Sequence, residues 1–167
     1  MSGALDALRR GVVKQLQNCG LNAVPAMEPE QAARWRNPVV AVGIRRVVCA
    51  PGGFQDYLGV QENGGGLREQ YGRELELTLA LDIYAPPDGG EGACQDTLTE
   101  LVEALVCQGA AGLNALEIQA NQVEFLEKTG LYRQGVSCRC MAWLAVAQSA
   151  DGTQFVDFEV RGRRACV

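Results

Sequence analysis

Three carboxylates form the one pattern in this chain that could support acid–base chemistry. Glu74, Glu76 and Asp82 occupy even positions of a segment, Glu74 to Tyr84, whose odd positions are Leu75, Leu77, Leu79, Leu81 and Ile83. A period of two places all three acids on one face of a strand, opposite the leucines. Carboxylates so grouped can act as general acid and base. The same alternation also makes an ordinary wet face whose charges keep a sheet from pairing with strangers, and this is the reading we adopt. Glu117 and Glu124 read as wet-face residues too.

Other catalytic groups are scarce. The chain has no histidine, which removes the commonest general base and the familiar nucleophile triads. No G-x-S-x-G elbow occurs. The run Gly64-Gly65-Gly66 is not followed by the lysine of a phosphate-binding loop. Seven cysteines are present, with no C-x-x-C spacing. Cys138 and Cys140 share one face of a predicted strand, but a zinc site needs two further soft ligands. Small buried thiols are the expected role. The sequence therefore predicts no enzyme, no catalytic residues, no metal and no cofactor.

Bulk composition sets the frame that must hold these residues. With 167 residues, 47% of them apolar and 21% charged, the chain is expected to form one globular domain over 1–167. A net charge of −5 disfavours generic binding to phosphate backbones. Arg161, Arg163 and Arg164 form the densest basic stretch, read as a short solvated tail over 161–167. Arg9, Arg10 and Lys14 interrupt the first 20 residues too often for a signal peptide, and no stretch of about 18 apolar residues occurs. A cytosolic chain without disulfides or membrane contact is expected.

Periodicity supplies the elements. Ser2 is expected to cap a helix whose apolar stripe is Leu5, Leu8, Val12 and Leu16, with Gly20 as its stop. Pro25 and Pro29 mark a turned segment, with a short helical turn from Pro29 to Trp35. Pro38 to Ala50 reads as a strand, apolar on both faces in its first half. Gly52 to Leu67 reads as a long glycine-rich loop. After the Glu74 to Tyr84 strand, the APPDGG turn leads to a helix over Gly92 to Cys107. Its buried stripe is expected to be Leu98, Leu101, Val102, Leu105 and Val106. Leu116, Ile118 and Ala120 alternate, and the phase slips before Val123 and Phe125, which predicts a bulge. Tyr132 to Ala147 reads as one long strand, and Val156, Phe158 and Val160 mark the last. The expected fold is α+β, with two layers. A mixed or antiparallel sheet of about five strands packs against two amphipathic helices.

Three surfaces stand out. The loop can reach a neighbour through Phe54, Tyr57, Asn63, Gly64, Gly65 and Gly66. The C-terminal strand and tail, with Phe155, Arg161, Arg163 and Arg164, offer an edge to another chain. In a ring of identical subunits, Glu74, Glu76 and Asp82 would repeat around the axis and repel DNA, letting it pass without sticking.

Two stretches carry a resemblance. VEFLEKTGLYRQGVSCRCMAWLAV, from Val123 to Val146, takes a strand through a short charged turn and the Tyr132-Arg133 step into a long strand. ELELTLALDIYAP is followed by an amphipathic helix, completing Glu74 to Cys107. In these stretches and in its element order the chain resembles bacteriophage tail terminators and related head–tail joining or minor tail proteins. The likeness is one of pattern over Asp6 to Ala147, and the glycine loop and cysteine richness depart from it. The resemblance implies a structural protein of a virion or phage-derived particle, made in the bacterial host cytoplasm and located at the tail or neck. It would form a homo-oligomeric, commonly hexameric, ring that ends the tail tube and joins it to the head. Its partners would be the tail-tube protein and a neck or connector protein, with DNA passing through unbound. Two other readings stay open: a small oligomeric enzyme or ligand-binding domain using inter-subunit carboxylates, and an adaptor that grips one protein through the loop.

Overall fold

A computed structural model of the chain describes residues 3–26, 31, 34–51, 57–64, 66–108, 112–148 and 155–162. Its backbone is organised around one strand. The alternation at 74–84 is the inner part of β4, which runs for 20 residues from Gly66 to Ala85. At about 3.3 Å per residue such a strand spans ~66 Å. A compact chain of this size is roughly 40 Å across, so β4 is longer than the body it crosses.

On one edge of β4 lie two strands end to end. β2 (Val39–Pro51) pairs antiparallel with Arg73 to Tyr84, and β3 (Tyr57–Asn63) pairs antiparallel with Gly66 to Tyr71. Asn63 and Gly66 form the last pair of this hairpin, and Gly64 after Asn63 has φ +59°, a left-handed conformation that glycine adopts without strain. On the other edge lie β8 (Val136–Gln148), paired with Tyr71 to Ala80, and β7 (Leu131–Gln134), paired with Ile83 to Ala85. Beyond them come β9 (Phe155–Gly162) and β5 (Asn114–Ala120) on β8, and β6 (Glu124–Leu126) on β7. β1 (Ala23–Pro25) adds a parallel pair outside β2, so the sheet is mixed. Among the described residues nine strands fall into five columns; the short β1 column and β3 lay outside the sequence expectation.

Helix α1 (Ala4–Asn18) and helix α2 (Gly90–Glu103) cover one face. α1 contributes Leu8, Val12 and Leu16, and α2 contributes Cys94 and Leu101. They pack on Leu75, Leu77, Leu79, Leu81 and Ile83 of β4 and on Val136, Cys138, Cys140 and Ala142 of β8. Complete burial of a leucine contributes about 1.5–3 kcal/mol, and Leu77, Leu79 and Leu81 are all fully buried. A smaller cluster of Val39, Ala41, Tyr84 and Leu131 lies apart, with Val24 and Leu126 against it. α1 ends in a Schellman arrangement, with Leu21 N–H donating to Leu16 O and Gly20 N–H to Gln17 O.

Several expectations are corrected. The cap of α1 is Gly3, in extended conformation and without a side-chain hydrogen bond, while Ser2 lies outside the described residues. The expected loop at 52–67 is, over 57–63 and 66–67, a β-hairpin, because β4 continues outward and provides a ladder for β3. The expected single strand over Tyr132 to Ala147 breaks at Gly135 into β7 and β8. α2 runs on as a π-helical turn from Ala104 to Gln108. The wider turn rotates the following side chains, and Val106, expected in the buried stripe, is 68% exposed. The bulge falls at Leu116, where the β5–β8 register shifts between Ala115 and Glu117, and Leu116 is turned out.

Candidate interaction surfaces

The face of β4 opposite the helices holds the expected acids. Register sets its cross-strand rows: Ala50–Glu74–Trp143, Val48–Glu76–Met141, Arg46–Thr78–Arg139 and Gly43–Ala80–Ser137. Glu74 and Glu76 are half-buried between these neighbours. The row is not bare acid, since Arg46 and Arg139 flank Thr78 between Glu76 and Asp82. Arg139 meets Glu117 at 3.4 Å, with both side chains nearly half exposed; such a pair stabilises little.

Asp82 behaves differently from the other two acids. Its Oδ2 accepts from the Arg133 guanidinium at 3.2 Å, and its side chain is 19% exposed. Burial works against the charge of Arg133, but the Asp82 carboxylate, with Tyr84, the hydrogen bond to Asp82 and Glu124 adding to it, outweighs this and raises the guanidinium pKa. Gln134 Nε2 donates to Asn121 O at 3.0 Å, and Asn121 N–H donates to Gly135 O at 2.8 Å. Asp82 Oδ1, Arg133 Nε and Gln134 Oε1 are buried without a hydrogen-bond partner. A Cβ at Gly135 would stand 3.2 Å from Asn121 Nδ2 and 3.5 Å from Asp82 Oδ1. This polar knot fixes the point where β7 parts from β8. Sequence reasoning missed it, although a glycine inside a strand pattern is a signal of close approach.

The hairpin of β3 with the outer part of β4 forms an arm. Tyr57, Val60 and Leu67 are 43%, 52% and 78% exposed. Val60 lies opposite Glu69, and Glu62 opposite Leu67, so Val60 and Leu67 are diagonal neighbours on one face. Tyr57 and Tyr71 meet edge to face at 5.7 Å at the arm's base. The Tyr71 hydroxyl donates to Glu69 Oε2 at 2.7 Å, and this bond raises the phenol's pKa. Along the helix-side face of β4 the cover ends at Leu75, since Arg73, Glu69 and Leu67 are all exposed.

The opposite flank carries a groove. The π-helical turn and bulged β5 enclose a concavity of about 320 Å³ lined by Leu105, Val106, Leu113, Leu116, Glu117 and Ile118, among others. Val106 and Leu116 open onto solvent, and Cys107 beside them is exposed. Nearby on β6, Phe125 is exposed with its ring 5.1 Å from Tyr132.

At the C-terminal strand, Phe155 is in register with Gln148 and Arg161 with Trp143. Among the described residues nothing pairs with the outer edge of β9. Phe54, Gly65, Arg163 and Arg164 lie outside the described residues. Of the thiols, Cys94, Cys138 and Cys140 are buried, and Cys49 and Cys107 are exposed. Burial, then Glu91, pushes Cys94 up to about 11. Cys138 and Cys140 approach to 3.5 Å between sulfurs. The hydrogen bond between them raises the pKa of Cys140, with burial adding to it, and lowers that of Cys138. Among the described residues no three potential ligands gather as for a metal ion, and no helix is long and apolar enough to cross a membrane. The chain matches no protein-family model, and no curated protein matches it.

Proposed function

We propose that this chain is a ring-forming structural subunit of a phage tail or phage-derived particle, a tail terminator or a close neighbour at the neck. The observation that carries this reading is the distribution of uncovered surface. Among the described residues α1 and α2 cover the inner part of one sheet face, and both flanks expose apolar side chains together with strand edges that pair with no further strand. A chain built this way has large areas for other protein to cover. The element order and the pattern shared with tail terminators add the particular setting. In that setting the subunit assembles, as a hexamer, on the end of the tail-tube protein and meets a connector on its other side. Glu74 and Glu76 then face the lumen, where carboxylates repel the phosphates of passing DNA. The protein is made in the bacterial host cytoplasm and ends in the virion.

Native mass measurement and binding to a tail-tube protein test this together. A ring, or a monomer that assembles on tail tubes, is expected. A strict monomer at high concentration that also ignores tail tubes would sink the reading. A second reading, an adaptor gripping one protein through the arm, is favoured by the exposure of Leu67 at its end. Deleting Gly64 to Gly66 would then abolish one interaction while any ring persists.

A further inference from the structure

Among the described residues apolar side chains gather in the open at the arm, at the groove and, by β1 on the arm's own flank, around Trp35 beside Val24, Pro25 and Ala26. Among the described residues nine large apolar side chains are exposed. Val47, Tyr57, Val60 and Leu67 lie on the β2–β3–β4 flank, and Val106, Leu116 and Phe125 lie on the opposite one. A two-stranded ribbon is at best marginally stable in water. Among the described residues the arm beyond Tyr71 is such a ribbon, since β8 there pairs with β4 no further out than Tyr71. Contact with other protein would steady it, and Val60 and Leu67 are the anchors it presents.

The groove has the matching character. Its volume, about 320 Å³, sits at the small end of protein binding pockets, roughly 300–1,000 Å³. Its walls are mostly aliphatic, and two backbone irregularities, the π-helical turn and the bulge at Leu116, hold it open. A chain's own arm is out of reach. By register β5 stands level with Glu76 to Ala80 of β4, and Leu67 lies nine or more residues further out, about 30 Å away.

Resting on the ring reading above, we infer that Val60 and Leu67 of each subunit's arm dock in the groove between the π-helical turn and β5 of the next copy. Arm and groove are different patches on opposite flanks, so the contact is heterologous, and heterologous contacts close into rings or run on as filaments. This geometry assigns the head-to-tail joint of the ring to named side chains.

Complementation between defective copies tests the pairing. Leu67→Asp spoils an arm, and Val106→Asp spoils a groove. Each variant alone is expected to lose self-association by about tenfold or more, the effect of removing an interface anchor. Mixed at equal concentration, the intact arm of Val106→Asp meets the intact groove of Leu67→Asp. One good joint then forms and growth stops, giving a species of twice the 17.9 kDa chain mass. Val60→Asp and Leu116→Asp should behave in the same way, and far-UV circular dichroism checks that every variant is folded. If the wild-type chain forms a ring and the variants do so equally, the ring reading stands and this joint is overturned. If the variants dissociate but the mixture restores nothing, the arm meets some other surface and the pairing is overturned. A wild-type chain that never self-associates, alone or on tail tubes, removes both readings.

Discussion

β4 is two strands in one. Its inner part, Leu75 to Ile83, has β2 on one edge, β8 and β7 on the other, and helices over every odd side chain. Its outer part, Gly66 to Gln70, has β3 on one edge, no strand on the other among the described residues, and no helix above. Leucine appears in both, fully buried at position 79 and 78% exposed at position 67. Backbone conformation is the same throughout. What separates a core strand from an arm here is the cover on its faces and the pairing on its edges, in line with strand propensity being largely a matter of context.

The contrast can be tested in order of effect. Leu79→Ala should cost about 2–5 kcal/mol of folding stability; a urea midpoint shift worth under 1 kcal/mol would show that the inner part is not the core. The next effect is on pH dependence. Cys94, in the same core, keeps its proton in the folded chain up to about pH 11, whereas an unfolded thiol loses it near pH 8.5. The folded state therefore binds the proton more tightly. Its stabilising share is complete below about pH 8.5 and is lost as pH rises towards 11, a decline of about 3 kcal/mol. Cys94→Ala should flatten that part of the stability curve, and an unchanged slope would remove the thiol from the account. On the open face, Asp82→Ala leaves the half-buried Arg133 without its carboxylate and should cost about 1–2 kcal/mol, read by thermal unfolding. Smallest is Leu67→Ser in the arm, expected within about 0.5 kcal/mol of wild type in the unassembled chain. In that same state amide exchange should be faster over 67–70 than over 75–83; equal protection would mean the arm is a core element after all.

The inner part of β4 was legible because Leu75 to Ile83 alternate without a fault, and α1 because its stripe holds a helical period. The arm was not. Tyr57 to Tyr71 has no alternating apolar set, and its order follows from the ladder that β4 extends outward. Asn63-Gly64 is a hairpin-turn signal, and it could have found the arm had the glycines after it not suggested a loose loop. The groove was hidden for another reason. It depends on a π-helical turn that carries Val106 out of its stripe and a bulge that turns Leu116 out. A periodic pattern predicts regular elements, and this site is made from departures from regularity. The Asp82–Arg133 pair joins residues 51 positions apart, a closeness that only the pairing of β7 with β4 creates.

The length of β4 has a mechanical side. Antiparallel hydrogen bonds run perpendicular to their strands. From Arg73 to Ala80 the strand is bonded on both edges, to β2 and to β8. A pull along the arm therefore loads two ladders in shear, with many bonds sharing the force at once. A pull across the arm peels β3 from β4 one bond at a time. A subunit joined to its neighbours through this arm would be stiff against being drawn out along the strand and compliant to sideways bending.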